Sequence, residues 1–150
     1  MRHFKIPIFF LFSFFFTSTL FAGNSAVENK GINFFNGTWE EVLEEAKKQN
    51  KPIFVDAFAV WCGPCKWMDS NVFPQEEVGD FYNANFINYK YDMEKGKGRD
   101  FARKYRVNAY PTFVYIKPNG ETVHKTMGAK PPKVLIEEGQ RALQIFNASR

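Results

Sequence analysis

Along the chain, apolar positions recur with two different periods, and the changes between them mark out the elements. Trp39, Val42, Leu43 and Ala46 stand at i, i+3, i+4 and i+7, the stripe of an amphipathic helix. Thr38 and Glu41 form a capping box at its start, each satisfying an amide that the first turn leaves free. Asn50 and Pro52 stop it, so the pattern predicts a helix over 39–49. Ile53 to Ala59, IFVDAFA, is apolar on both faces apart from Asp56. Such a strand suits the centre of a sheet covered by helices on each side.

A second helix is expected from Cys62 to about Val72, with Pro64 tolerated in a first turn that has no amide bonds to lose. Pro74 restarts a helical piece with Glu76 and Glu77 in its first turn and Val78, Phe81 and Tyr82 as its apolar stripe, although Gly79 weakens the pattern. FINYKY, Phe86 to Tyr91, reads as a strand, and a loop with Gly96 and Gly98 leads to a short helix over 100–105. TFVYIK, Thr112 to Lys117, is the next strand, and the Pro118-Asn119-Gly120 turn joins it to another over 121–126 as a hairpin. The last helix starts near Pro131 or Pro132 and carries Leu135, Ile136, Leu143 and Phe146 on one side. A βαβ unit followed by a ββα unit predicts an α/β fold, with a mixed sheet of four to five strands and helices on both faces.

The first 22 residues break this pattern. Arg2, His3 and Lys5 precede an apolar run from Ile6 to Phe16, and small residues follow at Ala22-Gly23. This is the layout of a cleavable secretory signal peptide over 1–22. Ser13, Thr17, Ser18 and Thr19 interrupt the run, which falls short of the roughly 20 apolar residues of a spanning helix. Residues 23–32, GNSAVENKGI, are polar and aperiodic and read as a flexible tether, leaving 33–150 as one domain. Cleavage would remove two of the 20 basic residues and none of the 16 acidic ones, giving a net charge of 18 minus 16, or +2. A nucleic-acid partner is not expected at that charge.

The chain holds two cysteines, Cys62 and Cys65, separated by Gly63-Pro64. Exported domains stapled by disulfides usually close long loops with several pairs, whereas this pair closes almost none. A structural metal site usually takes four ligands, and beyond residue 22 only His124 could join the two thiols from the cysteine and histidine set. No metal is therefore expected. A dithiol beside a βαβ pattern is a recognised redox arrangement.

Four elements in order then carry a resemblance. Trp61-Cys-Gly-Pro-Cys-Lys66, Asp56 six residues before the first cysteine, Tyr110-Pro111-Thr112 and Gly128-Ala129 together resemble the thioredoxin family over roughly residues 33–147. The helix at Thr38, the break at Asn71-Val-Phe-Pro74 and the signal pattern look more like exported bacterial members. They are similar to the C-terminal domain of the periplasmic membrane thiol reductase. The resemblance implies a thioredoxin-like fold and a monomeric thiol-disulfide oxidoreductase, periplasmic or secreted, without a cofactor beyond a redox-active Cys62–Cys65 disulfide. Its substrates would be protein disulfides and its electron donor a membrane thiol reductase. Gly63-Pro64 resembles the reducing members; an oxidase or isomerase, or a non-catalytic binding or copper-carrier module, are the alternatives.

Within this resemblance Cys62 is the nucleophile, its thiolate stabilised by the free amides of a helix start. Cys65, one turn on, resolves the mixed disulfide. Asp56, costly to bury unpaired, would serve as general base or proton relay for Cys65, the alternative being a strand-end acid bonded to nearby backbone. Substrate-binding positions would be Trp61, Gly63, Pro64, Tyr110, Pro111 and Gly128, with Pro111 as a cis-proline presenting the Tyr110 backbone to an extended substrate segment. Trp61 reads equally as a packing residue. One departure stands out: the lysine that usually partners the buried acid falls at Asn88, while Lys90 lies two residues on, on the same strand face.

Overall fold

The computed structural model describes Met1 and residues 30–149; the rest of the signal segment and the tether as far as residue 29 lie outside the described residues. The elements follow as α1 (Trp39–Gln49), β1 (Ile53–Phe58), α2 (Gly63–Asn71), α3 (Glu76–Asn85), β2 (Ile87–Asp92), α4 (Gly98–Tyr105), β3 (Thr112–Ile116), β4 (Thr122–Met127) and α5 (Pro132–Ala148). The strands form one sheet in the order β2-β1-β3-β4. β1 is parallel to β2 and antiparallel to β3, which is antiparallel to β4. The expected mixed sheet thus has four strands among the described residues and no fifth. The segment ahead of α1 reaches the edge strand β2 through a single backbone–backbone bond among the described residues, Phe35 N–H to the Asn88 carbonyl at 2.7 Å.

Alternation along β1 sorts the core into two layers. Ile53, Val55 and Ala57 pack with Val42 and Ala46 of α1 and Phe101 and Tyr105 of α4. Phe54 faces the other way, among Met68 of α2, Val78 and Tyr82 of α3 and Leu135 and Ala142 of α5. Asp56 shares that second face, which is why a strand apolar on both sides carries one acid. The capping box of α1 forms as expected: Thr38 N–H donates to Glu41 Oε2 at 2.7 Å, and Glu41 N–H donates to Thr38 Oγ1 at 3.3 Å.

Among the boundaries that differ from the sequence expectation, such as α4 beginning at Gly98 rather than residue 100, two have identifiable reasons. Phe86 ends α3 rather than opening β2, because its N–H donates to the Tyr82 carbonyl at 2.9 Å. The tether expected over 23–32 also ends sooner. Ile32 is buried and its N–H donates to the Phe73 carbonyl at 2.8 Å. Gly31 lies so close to Gly79 of α3 that a Cβ on Gly79 would come within 2.4 Å of the Gly31 carbonyl carbon and oxygen. Gly79, a weak helix former by propensity, is what lets this backbone dock.

Candidate functional site

Cys62 and Cys65 are joined in a disulfide with their Cα atoms 5.3 Å apart. Cys62 stands just before α2 in extended conformation, as the residue that caps the helix, and its Sγ accepts a hydrogen bond from the Cys65 N–H at 3.1 Å. A charge on that sulfur would meet the unpaired amides and positive end of the helix. Gly63 is exposed and Pro64 occupies the first turn, where its missing N–H costs nothing. Both cysteines are buried, packed with Ala59, Phe58 and Tyr110.

The segment that faces them is built from β3 and β4. The Tyr110–Pro111 bond is cis. Thr112 Oγ1 donates to the Ala109 carbonyl at 2.7 Å, and Gly128 N–H donates to the Pro111 carbonyl at 2.8 Å. Gly128 has φ +82°, a conformation side-chain-bearing residues rarely adopt, so glycine is required where the end of β4 turns past Pro111. Trp61 is 65% exposed, yet its ring is held in place. Its Nε1 donates to Glu94 Oε2 at 2.8 Å, and its edge meets the Tyr110 ring with centroids 5.9 Å apart. Between the two readings left open for Trp61, the structure places it on the surface. Val60 and Met127 are exposed as well, so apolar groups stand beside the disulfide and beside Gly128.

Asp56 is fully buried, opposite Lys90 in the β1–β2 register and opposite Phe113 in the β1–β3 register. Burial raises its carboxyl to about 6; the Lys90 ammonium opposes the rise and the Asp69 carboxylate adds to it. Lys90 Nζ lies 3.3 Å from Asp56 Oδ2. Asn88 is turned to other work, its Nδ2 donating to Asn83 Oδ1 at 3.0 Å and to the Asn33 carbonyl at 3.3 Å. The question raised by the displaced lysine is thereby answered: Lys90 is the cation beside the buried acid.

A model of the family described as "Thioredoxin-like domain" matches residues 39–142. The chain belongs to the thioredoxin-like family. It is 36% identical over 108 residues to thioredoxin Y of the rice chloroplast (Oryza sativa subsp. japonica), a match covering 72% of this chain and 59% of that protein, so the chain spans less than two thirds of that relative's own length. The solution structure of a Bacteroides thetaiotaomicron protein proposed as a disulphide-isomerase superposes with a TM-score of 0.70 at 38% identity, covering 78% of this chain and 97% of that one. The oxidised C-terminal domain of Neisseria meningitidis DsbD shares the fold, with a TM-score of 0.61 at 20% identity, over 73% of this chain and 99% of the domain. The thioredoxin-like fold and the Cys-x-x-Cys pair thus stand together in this chain.

Two residues of this thioredoxin-like site escape the sequence reading. Asp69 of α2 accepts a hydrogen bond from Lys90 across a separation of 21 residues. Glu94, which holds Trp61, lies 33 residues from it. Asp69 sits one helical turn beyond Cys65, so helical spacing from the cysteine was a usable signal. No comparable signal pointed to Glu94. His124, the histidine that could have joined the two thiols, is paired instead with Glu138 of α5.

Proposed function

We propose that this protein is an exported thiol-disulfide oxidoreductase that reduces disulfides in protein substrates outside the cytoplasm. The observation that carries the reading is the disulfide at the head of α2, with the Cys65 N–H already directed at Cys62 Sγ. The signal pattern over 1–22 supports export, and Gly63-Pro64 supports the reducing direction.

In the reduced protein the Cys62 thiolate attacks one sulfur of the substrate disulfide, and the other sulfur leaves as a thiolate and is protonated by solvent. Cys65 then gives its proton to Asp56, and its thiolate attacks Cys62 Sγ, expelling the second substrate thiolate. Two electrons pass to the substrate and the Cys62–Cys65 disulfide is left behind. A membrane thiol reductase on the same side of the membrane would return two electrons by the reverse exchange. Val60, Trp61 and Met127 offer an apolar rim for the substrate, and the Tyr110–Pro111 backbone offers an extended segment for it to pair with.

The direct test is insulin disulfide reduction with dithiothreitol as donor. The wild-type protein is expected to accelerate it, Cys62→Ser to abolish the acceleration, and Cys65→Ser to accumulate mixed disulfides. Full activity in Cys62→Ser would overturn the assignment. A second reading, disulfide isomerisation, is favoured by the likeness to the Bacteroides protein; refolding of a scrambled-disulfide substrate without added reductant separates the two.

A further inference from the structure

Lys90 is Asp56's neighbour in the parallel register, yet its hydrogen bond goes elsewhere. Nζ donates to Asp69 Oδ1 and stands 3.3 Å from Asp56 Oδ2, while neither Asp56 oxygen takes a hydrogen bond from any described residue. The ammonium is confined where it stands. The rings of Phe58, Phe73 and Phe34 lie around it with centroids 4.7, 5.4 and 5.8 Å away, each a favourable site for a cation. The three charged groups run from interior to surface, with side chains 1%, 25% and 40% exposed for Asp56, Lys90 and Asp69. They end at a cleft of about 360 Å³ lined by Ile32, Phe34, Asp69, Phe73 and Lys90.

The charged neighbours of Asp56 are therefore Lys90 from β2 and Asp69 from α2. β3 places uncharged Phe113 opposite it. Cys62 and Cys65 do not titrate while bonded, and Lys30 at the mouth of the cleft is paired with Glu76 at 3.6 Å. Two carboxylates share one cation, and the outer one holds its hydrogen bond. A buried carboxylate with an unshared lysine would be held ionised; one that loses the competition keeps its proton to higher pH.

We propose that Asp69 is a positioning residue that acts on Asp56 through Lys90: by taking the ammonium's hydrogen bond it leaves the buried carboxylate under-compensated, so that Asp56 holds its proton more firmly than it would beside an unshared lysine. The proposal deepens the role given to Asp56 under the proposed function and rests on it for its catalytic consequence, but the coupling itself is a property of the oxidised, resting protein. It also assigns the cleft beside Asp69 as the side from which the buried acid senses solvent.

The experiment is a titration of the Asp56 carboxyl carbon by NMR in the purified, oxidised protein, for wild type, Asp69→Asn, Lys90→Met and the double variant. Asp69→Asn is expected to lower the midpoint by about one pH unit, because the freed ammonium turns to Asp56 and one repelling charge is gone. Lys90→Met, which keeps the stem among the rings, is expected to raise it. In the Lys90→Met background the Asp69→Asn shift should fall below half its size, leaving only direct repulsion. An unchanged or raised midpoint in Asp69→Asn, or an equal shift in both backgrounds, would overturn the proposal. Asp69→Glu restores the acid and should return the midpoint towards that of wild type. The pH dependence of insulin reduction then separates the two claims. If the NMR midpoint moves and the pH–rate profile does not, the coupling stands and the assignment of Asp56 as proton acceptor fails.

Discussion

The two faces of β1 come from one six-residue strand and are held to different standards. On the face towards α1 and α4, Ile53, Val55 and Ala57 meet aliphatic and aromatic side chains, and Trp39 bridges Tyr89, Tyr91, Phe101 and Tyr105. On the face towards α2, α3 and α5, Phe54 is buried among Met68, Val78 and Leu135, but polar groups are buried there too. Tyr82 and Tyr115 share a hydrogen bond between their hydroxyls at 2.7 Å, and Tyr82 also donates to the Leu135 carbonyl at 2.7 Å. Asp56, equally buried, takes no such bond. A fold can bury a polar group cheaply when it is paired. Asp56 is compensated instead by the Lys90 ammonium 3.3 Å away, and it lies on the face towards the helix that carries the cysteines. That difference sets Asp56 apart from the buried hydroxyls that hold the fold.

Placing an acid on the wrong face should break the comparison most severely. Val55→Asp puts a carboxylate among buried apolar side chains, and is expected to cost about 4–5 kcal/mol or to prevent folding, read by urea denaturation. Removing the acid from its own face should do the reverse. The folded-state value of about 6 lies above the ordinary 3.8, so ionising Asp56 opposes folding. The penalty is absent below 3.8, grows as pH rises towards 6 and is complete above it. Asp56→Asn should therefore stabilise the protein by about 3 kcal/mol at pH 7, with the gain vanishing at pH 3.5, while slowing disulfide reduction. Denaturation curves at the two pH values check the sign.

Smaller effects sharpen the same contrast. Tyr82→Phe removes the hydroxyl that bonds the buried Tyr115 hydroxyl and the Leu135 carbonyl and is expected to cost about 1–3 kcal/mol by denaturation, with insulin reduction retained. Trp61→Ala, at an exposed site, should change stability by less than about 0.5 kcal/mol. Its effect should appear instead as weaker substrate binding, a raised KM in the same assay.

Most of the fold was legible because its signals are local. The capping box at Thr38 and Glu41, the doubly apolar strand at Ile53 and the turn at Pro118-Asn119-Gly120 each act over a few residues. The cysteine pair was legible for the same reason. What could not be read depends on register and close approach. Alternation put Asn88 and Lys90 on one face and could not choose between them; the pairing of Asp56 with Lys90 across β1 and β2 decides it. Gly79 looked like a defect in a helix until Gly31 was found lying on it. Asp69 and Glu94 act through side chains that meet only after α2 packs on the sheet and the loop after β2 folds towards Trp61.

The central claim is that the Cys62–Cys65 pair delivers electrons rather than accepting them, and the reduction potential of that pair tests it most directly. Equilibration of the purified protein against dithiothreitol and glutathione couples, read by thiol alkylation, gives the value. A reductant of this kind should lie near about −270 mV. A value near −120 mV, the range of a strong disulfide-forming oxidant, would contradict the account.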